Sequence, residues 1–224
     1  MERAIIFDLD GTLLDRERSL RLFLEDQFER YREYFTHVQK NDYINYFIAY
    51  DEHGYVKKDR VYKALLNQLD IHYIEKKDLL LDYDLNYPKF ATGYPDLKDI
   101  ISRIQNRGLK IGIITNGKVS HQSYIIDVLG IEKYVLETLI SEAVGYRKPE
   151  PEIFMMMCDK LGVKPEECIF VGDHPVNDIE AAHRLGMKTV FKDNHYFKAP
   201  GETMMDYRIE DLSELFNIIG EETI

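Results

Sequence analysis

The chain's 224 residues suffice for one large domain, or for a core domain carrying a smaller insertion. Its 40 acidic residues against 29 basic ones give a formal charge of -11, which excludes nucleic acid and an anionic membrane surface as the main partner. A phosphorylated ligand would meet the same field and would need local cations to overcome it. No apolar run approaches the roughly 18 residues of a membrane span. The N-terminus enters an apolar strand pattern at once, which leaves no room for a signal peptide and predicts a cytoplasmic chain. Cys158 and Cys168, the two cysteines, lack CxxC spacing and are expected as buried thiols in a reducing compartment.

The first element is a strand. Ala4, Ile5, Ile6 and Phe7 form an apolar run of the kind buried on both faces, and Asp8, Asp10 and Gly11-Thr12 follow directly. Side chains alternate with period two, so Asp8 and Asp10 leave the strand end on one side. Two carboxylates held there repel unless a cation or a shared proton intervenes. Residues 15–88 then read as helical. Leu20, Phe23, Phe28, Tyr31 and Phe35 recur at three- and four-residue spacings, Tyr43 to Tyr50 suggest a second helix, and His53-Gly54 marks a break. Further helices are expected over 59–69 and 75–84. Most of the tyrosines in this block are expected to pack between helices.

From Ala91 the texture changes to alternating helix and strand. Helices are expected over 97–108, 118–129, 152–161 and 176–186, with a terminal one over 212–219. Strands are expected over 109–114, 135–141, 168–171 and 188–191, and an edge strand over 207–209. Strands separated by helices predict a doubly wound α/β core around a parallel sheet, with ligands bound beyond the carboxyl ends of its strands. The core therefore comprises residues 1–14 and 89–224, and the inserted α-helical block, 15–88, is expected beside the first strand's carboxyl end.

Each buried strand ends in a polar cluster: Asp8 and Asp10, then Thr115 and Asn116, then Gly172, Asp173 and Asp178, while Lys148 stands in a loop before a helix. Singly, each has a plain structural reading. Thr115-Asn116-Gly117 could be a turn or helix cap, Lys148 a solvated loop lysine, and Asp178 an acid in a first helical turn. His174 reads as a loop-shaping residue rather than a metal ligand. Together they form a chemical inventory. Asp8, Asp10 and Asp173 supply hard oxygen ligands suited to Mg2+. Thr115, the backbone amides of Asn116 and Gly117, and Lys148 supply donors for phosphoryl oxygens. A carboxylate can attack phosphorus to form an acyl phosphate, dividing one hard displacement into two easier ones.

These motifs resemble those of the haloacid dehalogenase-like (HAD) hydrolase superfamily. Its D-x-D-G-T motif matches residues 8–12, its hydrophobic strand ending in Thr or Ser matches IGIITNG at Thr115, its lysine before proline matches Lys148, and its G-D-x-x-x-x-D matches residues 172–178. The resemblance implies a Rossmann-like core with a small α-helical cap after the first motif. It implies Asp8 as nucleophile and Mg2+ ligand, and Asp10 as acid/base with its backbone carbonyl on the metal. Thr115 and Lys148 would bind the phosphoryl group, Asp173 would ligate Mg2+, and Asp178 would orient Lys148 or a metal-bound water. Arg16 would approach the substrate from the cap hinge. The expected function is a Mg2+-dependent phosphatase acting on a small phosphorylated metabolite, as a monomer or homodimer. The alternatives are a sugar-phosphate mutase of the same superfamily and a catalytically silent binding protein.

Overall fold

The computed structural model describes residues 2–201 and 203–219. Its framework is a six-stranded parallel sheet in the order β3-β2-β1-β4-β5-β6. In chain order the strands are β1 (Ala4–Phe7), β2 (Lys110–Thr115), β3 (Glu137–Ile140), β4 (Cys168–Gly172), β5 (Lys188–Lys192) and β6 (Tyr207–Ile209). The register sets Ala4 opposite both Lys110 and Cys168, so β1 lies between β2 and β4. All four β1 side chains are fully buried, which explains why the sequence reads as a continuous apolar run.

The helices are α1 (Arg16–Arg30), α2 (Lys40–Asp51), α3 (Lys58–Gln68), α4 (Lys76–Asn86), α5 (Leu97–Asn106), α6 (Val119–Leu129), α7 (Ser141–Val144), α8 (Pro151–Leu161) and α9 (Ala181–Arg184). On one face of the sheet, Ala4, Ile6, Ile114 and Phe170 pack with Ile153, Phe154 and Met157 of α8 and with Ala181 and Ala182 of α9. Ile5 and Phe7 point to the opposite face and are equally buried. Cys158 and Cys168 are buried free thiols in the first of these layers, with their Sγ atoms 3.8 Å apart. Among the described residues, no helix is long and apolar enough to cross a membrane.

The chain divides into two compact units, one formed by Met1–Asp15 with Thr92–Ile224 and the other by Arg16–Ala91. The first is the α/β unit. Its chain leaves and re-enters at adjacent points, because Leu14 bridges Gly93 and the Asp15 N–H donates to the Thr92 carbonyl at 2.8 Å. The second holds α1 to α4 and, among its described residues, no strand. Its interior is aromatic, with Phe23, Phe35, Tyr43, Phe47 and Tyr62 all buried. Gln27 satisfies the polar atoms inside it: its Oε1 accepts from the Tyr43 hydroxyl at 2.7 Å and the Tyr62 hydroxyl at 2.9 Å, while its Nε2 donates to Asp82 at 2.8 Å.

Two expected helices differ. In place of one helix over 176–186 there is a wide π-type turn, Pro175–Glu180, followed by the short α9. His174 causes this. Its Nδ1 accepts from the N–H groups of Val176 and Asn177, and its carbonyl accepts from Ile179, five residues on. The segment 212–219 forms a 3-10 helix, Leu212–Asn217, because its two buried anchors, Leu212 and Leu215, are three residues apart and Asp211 with Glu214 closes its start.

Candidate active site

Three strand ends and one loop bring the polar residues together at the carboxyl edge of the sheet. Asp8 follows β1 directly, Thr115 ends β2, and Asp173 follows β4. Lys148 comes from the loop before α8. Asn116 clamps that loop with its side chain: its Oδ1 accepts from the Lys148 N–H and its Nδ2 donates to the Lys148 carbonyl, both at 2.9 Å.

The Lys148 ammonium is the hub. Its Nζ donates to Asp8 Oδ1 at 2.5 Å and lies 2.7 Å from Asp178 Oδ1, an ion pair without hydrogen-bond alignment. All three residues are buried. The wide turn after His174 carries Asp178 inward, where its Oδ2 accepts from the His174 N–H at 3.0 Å. His174 thus shapes the loop. Gly172 makes room for this arrangement, since a Cβ there would lie 2.5 Å from the Asp178 Cβ.

Carboxylate oxygens of Asp8, Asp173 and Asp178 lie within 4.8 Å of one another. With all three carboxylates ionised, the Lys148 ammonium in the cluster would leave two negative charges uncompensated. Burial pushes the Asp8 carboxyl up to about 7, with Asp178 and Asp10 adding to the effect and Lys148 opposing it. Burial also pushes Asp173 well above the ordinary carboxylate range, reinforced by Asp8 and Asp178. Burial works against the Lys148 charge, yet Asp178 and Asp8 more than offset it and hold its ammonium above the usual lysine value. A compact all-oxygen donor set with a deficit of two positive charges fits a small divalent cation such as Mg2+. The Asp178 oxygens are engaged by Lys148 and the His174 N–H, so the Asp8 and Asp173 carboxylates are the groups left to meet it.

Asp10 lies apart from this triad. Its Oδ2 accepts from Gln122 Nε2 at 2.6 Å, and the same nitrogen donates to the buried Thr115 Oγ1 at 2.6 Å. The Gly117 N–H, expected to face a phosphoryl group, instead donates to Ser141 Oγ at 3.0 Å. A hydroxyl there satisfies an amide that would otherwise await a ligand. Asn116 likewise acts through its side chain, on Lys148. Arg16 lies in the helical unit, where its Nη2 donates to the buried Asp51 at 2.7 Å and Lys58 meets the other Asp51 oxygen at 2.5 Å. Burial raises the Asp51 carboxyl, but the two cations prevail and hold it below the ordinary range.

Three contributing residues carried no assigned role in the sequence. Thr12 donates to Asp8 Oδ2 at 3.3 Å. Gln122 sits in the buried stripe of α6 with Ile125, Ile126 and Leu129, and a polar residue in an apolar stripe was its signal. Asn194 follows β5 closely and lies 3.5 Å from Asp173 Oδ2. The rule that strand ends carry polar clusters, extended to the fifth strand, would have found it.

Known proteins bear on this arrangement. The chain is 29% identical over 230 residues to pyrophosphatase PpaX of Oceanobacillus iheyensis, covering 98% of this chain and 97% of that protein. It is 29% identical over 238 residues to a glyceraldehyde 3-phosphate phosphatase of Methanopyrus kandleri, covering 99% and 98% of the two. The crystal structure of a HAD phosphatase from Thermococcus onnurineus is 28% identical with a TM-score of 0.68, and the match covers the whole of both chains. The family profile described as haloacid dehalogenase-like hydrolase matches residues 2–186, and this α/β chain with its acidic strand-end cluster belongs to that family of hydrolases.

Proposed function

We propose that the protein is a Mg2+-dependent phosphatase that hydrolyses a small phosphorylated metabolite through an aspartyl-phosphate on Asp8. The observation that carries this reading is the Lys148 ammonium bridging Asp8 and Asp178 inside a carboxylate cluster short of two positive charges. The names of the relatives support the substrate class, since one is a glyceraldehyde 3-phosphate phosphatase and another a pyrophosphatase.

Lys148 restrains Asp8 Oδ1 and leaves Oδ2 as the attacking atom. As the Oδ2–phosphorus bond forms, the ester oxygen leaves and takes a proton from the Asp10 carboxyl. Thr115 Oγ1 already accepts from Gln122, so its own proton is the one offered to a non-bridging phosphoryl oxygen. In the second half, Asp10 takes a proton from water as that water displaces Asp8 from phosphorus and releases phosphate. Asp8, Asp173 and the Asp10 backbone carbonyl would hold the metal, with Asp178 acting through Lys148. Mg2+, when bound, supplies the positive charge that lets an anionic nucleophile meet an anionic phosphate. The helical unit serves as the cap that selects the substrate, with Arg16 fixed on Asp51.

A panel of phosphate esters, assayed for phosphate release with Mg2+ and with excess EDTA, tests the reading. Release that stops on chelation and returns with Mg2+ is expected. Full turnover in EDTA, or an isomeric sugar phosphate as product without free phosphate, would overturn it.

A further inference from the structure

The fifth strand ends on a buried cation. Lys192, the last residue of β5, is 2% exposed, and its Nζ donates to Asn194 Oδ1 at 2.6 Å while lying 4.3 Å from the centroid of the Tyr94 ring. The Tyr94 hydroxyl donates to the same Oδ1 at 2.9 Å. Two donors converging on one oxygen settle which way the amide faces. Asn194 Nδ2 is thereby turned toward the Gly11 carbonyl and toward Asp173 Oδ2, at 3.5 Å. These two groups come from different strand ends, the loop after β1 and the residue after β4. The space between them is tight: Gly11 has φ +84°, and a Cβ there would sit 2.1 Å from Asp173 Oδ2.

We propose that Asn194 is a positioning residue for the divalent cation, its amide held by Lys192 and Tyr94 so that Nδ2 fixes the Asp173 carboxylate against the loop that follows β1. The inference rests on the metal-dependent reading given above. Its physical basis is the charge imbalance at Asp173. Ionised beside Asp8 and Asp178, this carboxylate is repelled by both, and the Asn194 amide facing its Oδ2 opposes displacement. A desolvated ammonium on Oδ1 polarises the amide and strengthens the donor on its other side. Asn194 touches neither the phosphoryl group nor the nucleophile in this scheme, so it sets where the metal ligand stands and leaves the chemical step alone.

Isothermal titration of Mg2+ into the metal-free protein measures this directly. Asn194→Ala should bind Mg2+ about 10- to 100-fold more weakly, as removal of a group that orients a metal ligand does. The Mg2+ concentration for half-maximal activity should rise by the same factor, with kcat at saturating Mg2+ within about threefold of the parent. If Asn194→Ala fails to fold because Lys192 is left without an acceptor, the apolar double variant Lys192→Met/Asn194→Leu serves for the same titration. Unchanged Mg2+ affinity in a folded variant would overturn the inference and leave the phosphatase reading intact. A parent that binds no Mg2+ would bring down both.

Discussion

Gln122 holds Asp10 in place: its Nε2, reaching back from the first turn of α6, donates to Asp10 Oδ2 at 2.6 Å. Because the same amide nitrogen donates to Thr115 Oγ1, it links the proposed acid/base to the proposed phosphoryl donor. Gln122→Leu keeps much of the side-chain volume and removes both contacts. Its kcat on alkyl phosphates should fall by about 10-fold or more, toward the lower range of general acid–base contributions, while Mg2+ affinity stays at the parent value. Parallel steady-state kinetics and Mg2+ titration check this.

Asp10→Asn should fold and retain Mg2+ binding, because the carbonyl proposed for the metal belongs to the backbone. Turnover of alkyl phosphates should drop by about 100-fold or more, since their leaving groups need a proton as the bond breaks. An activated aryl phosphate needs little protonation, so its first step should suffer less and phosphorylated Asp8 should accumulate. Mass spectrometry of the quenched variant detects it. Alkyl phosphates hydrolysed at the parent rate would remove Asp10 from the mechanism.

The raised carboxyls make stability pH-dependent in a defined direction. Asp8 moves from an ordinary 3.8 to about 7 on folding, and Asp173 moves the same way. Between those values the folded state binds more protons than the unfolded state, so metal-free stability falls as pH rises from about 4 to 7. Mg2+ should therefore raise the melting temperature more at pH 7.5 than at pH 5. Thermal melts across that range, with EDTA and with Mg2+, measure both slopes; a flat metal-free profile would contradict the buried cluster.

Lys148→Met removes the one ammonium among three buried acids. Breaking a buried ion pair typically costs about 3 kcal/mol or more, because the abandoned charges stay desolvated. The loss in the metal-free variant should be largest near pH 8 and shrink toward pH 5, where Asp8 and Asp173 take up protons. Denaturant unfolding at the two pH values checks the difference, and activity should be lost at both.

Much of this site was legible because it lies at strand ends. The apolar run of β1 places Asp8 and Asp10, and the same pattern at β2 and β4 places Thr115 and Asp173. The ranking of the acids was less legible. Sequence order cannot reveal that Asp178 turns inward while the Asp10 side chain turns toward α6, because a wide turn after His174 decides the first and Gln122 of α6, seven residues beyond Thr115, decides the second. Asn116 and Gly117 were expected to offer backbone amides to a ligand. Ser141, distant in sequence, takes the Gly117 N–H, while the Asn116 side chain holds the Lys148 loop. The helical period placed α1 to α4 closely, but the hub at Gln27 is invisible to periodicity, which registers only that a position is buried.

The position of β1 has a consequence for synthesis. Its two neighbours are β2, which follows the entire helical unit, and β4, which ends only at Gly172. During translation the four helices of residues 16–91 can therefore settle through local contacts while β1 still waits unpaired, an apolar edge with no partner yet made. The loop that carries Asp8 gains its β4-side partners only after most of the chain has emerged. A chain cut short before β4 would lack Asp173 and Asp178 and with them two of the three carboxylates of the cluster.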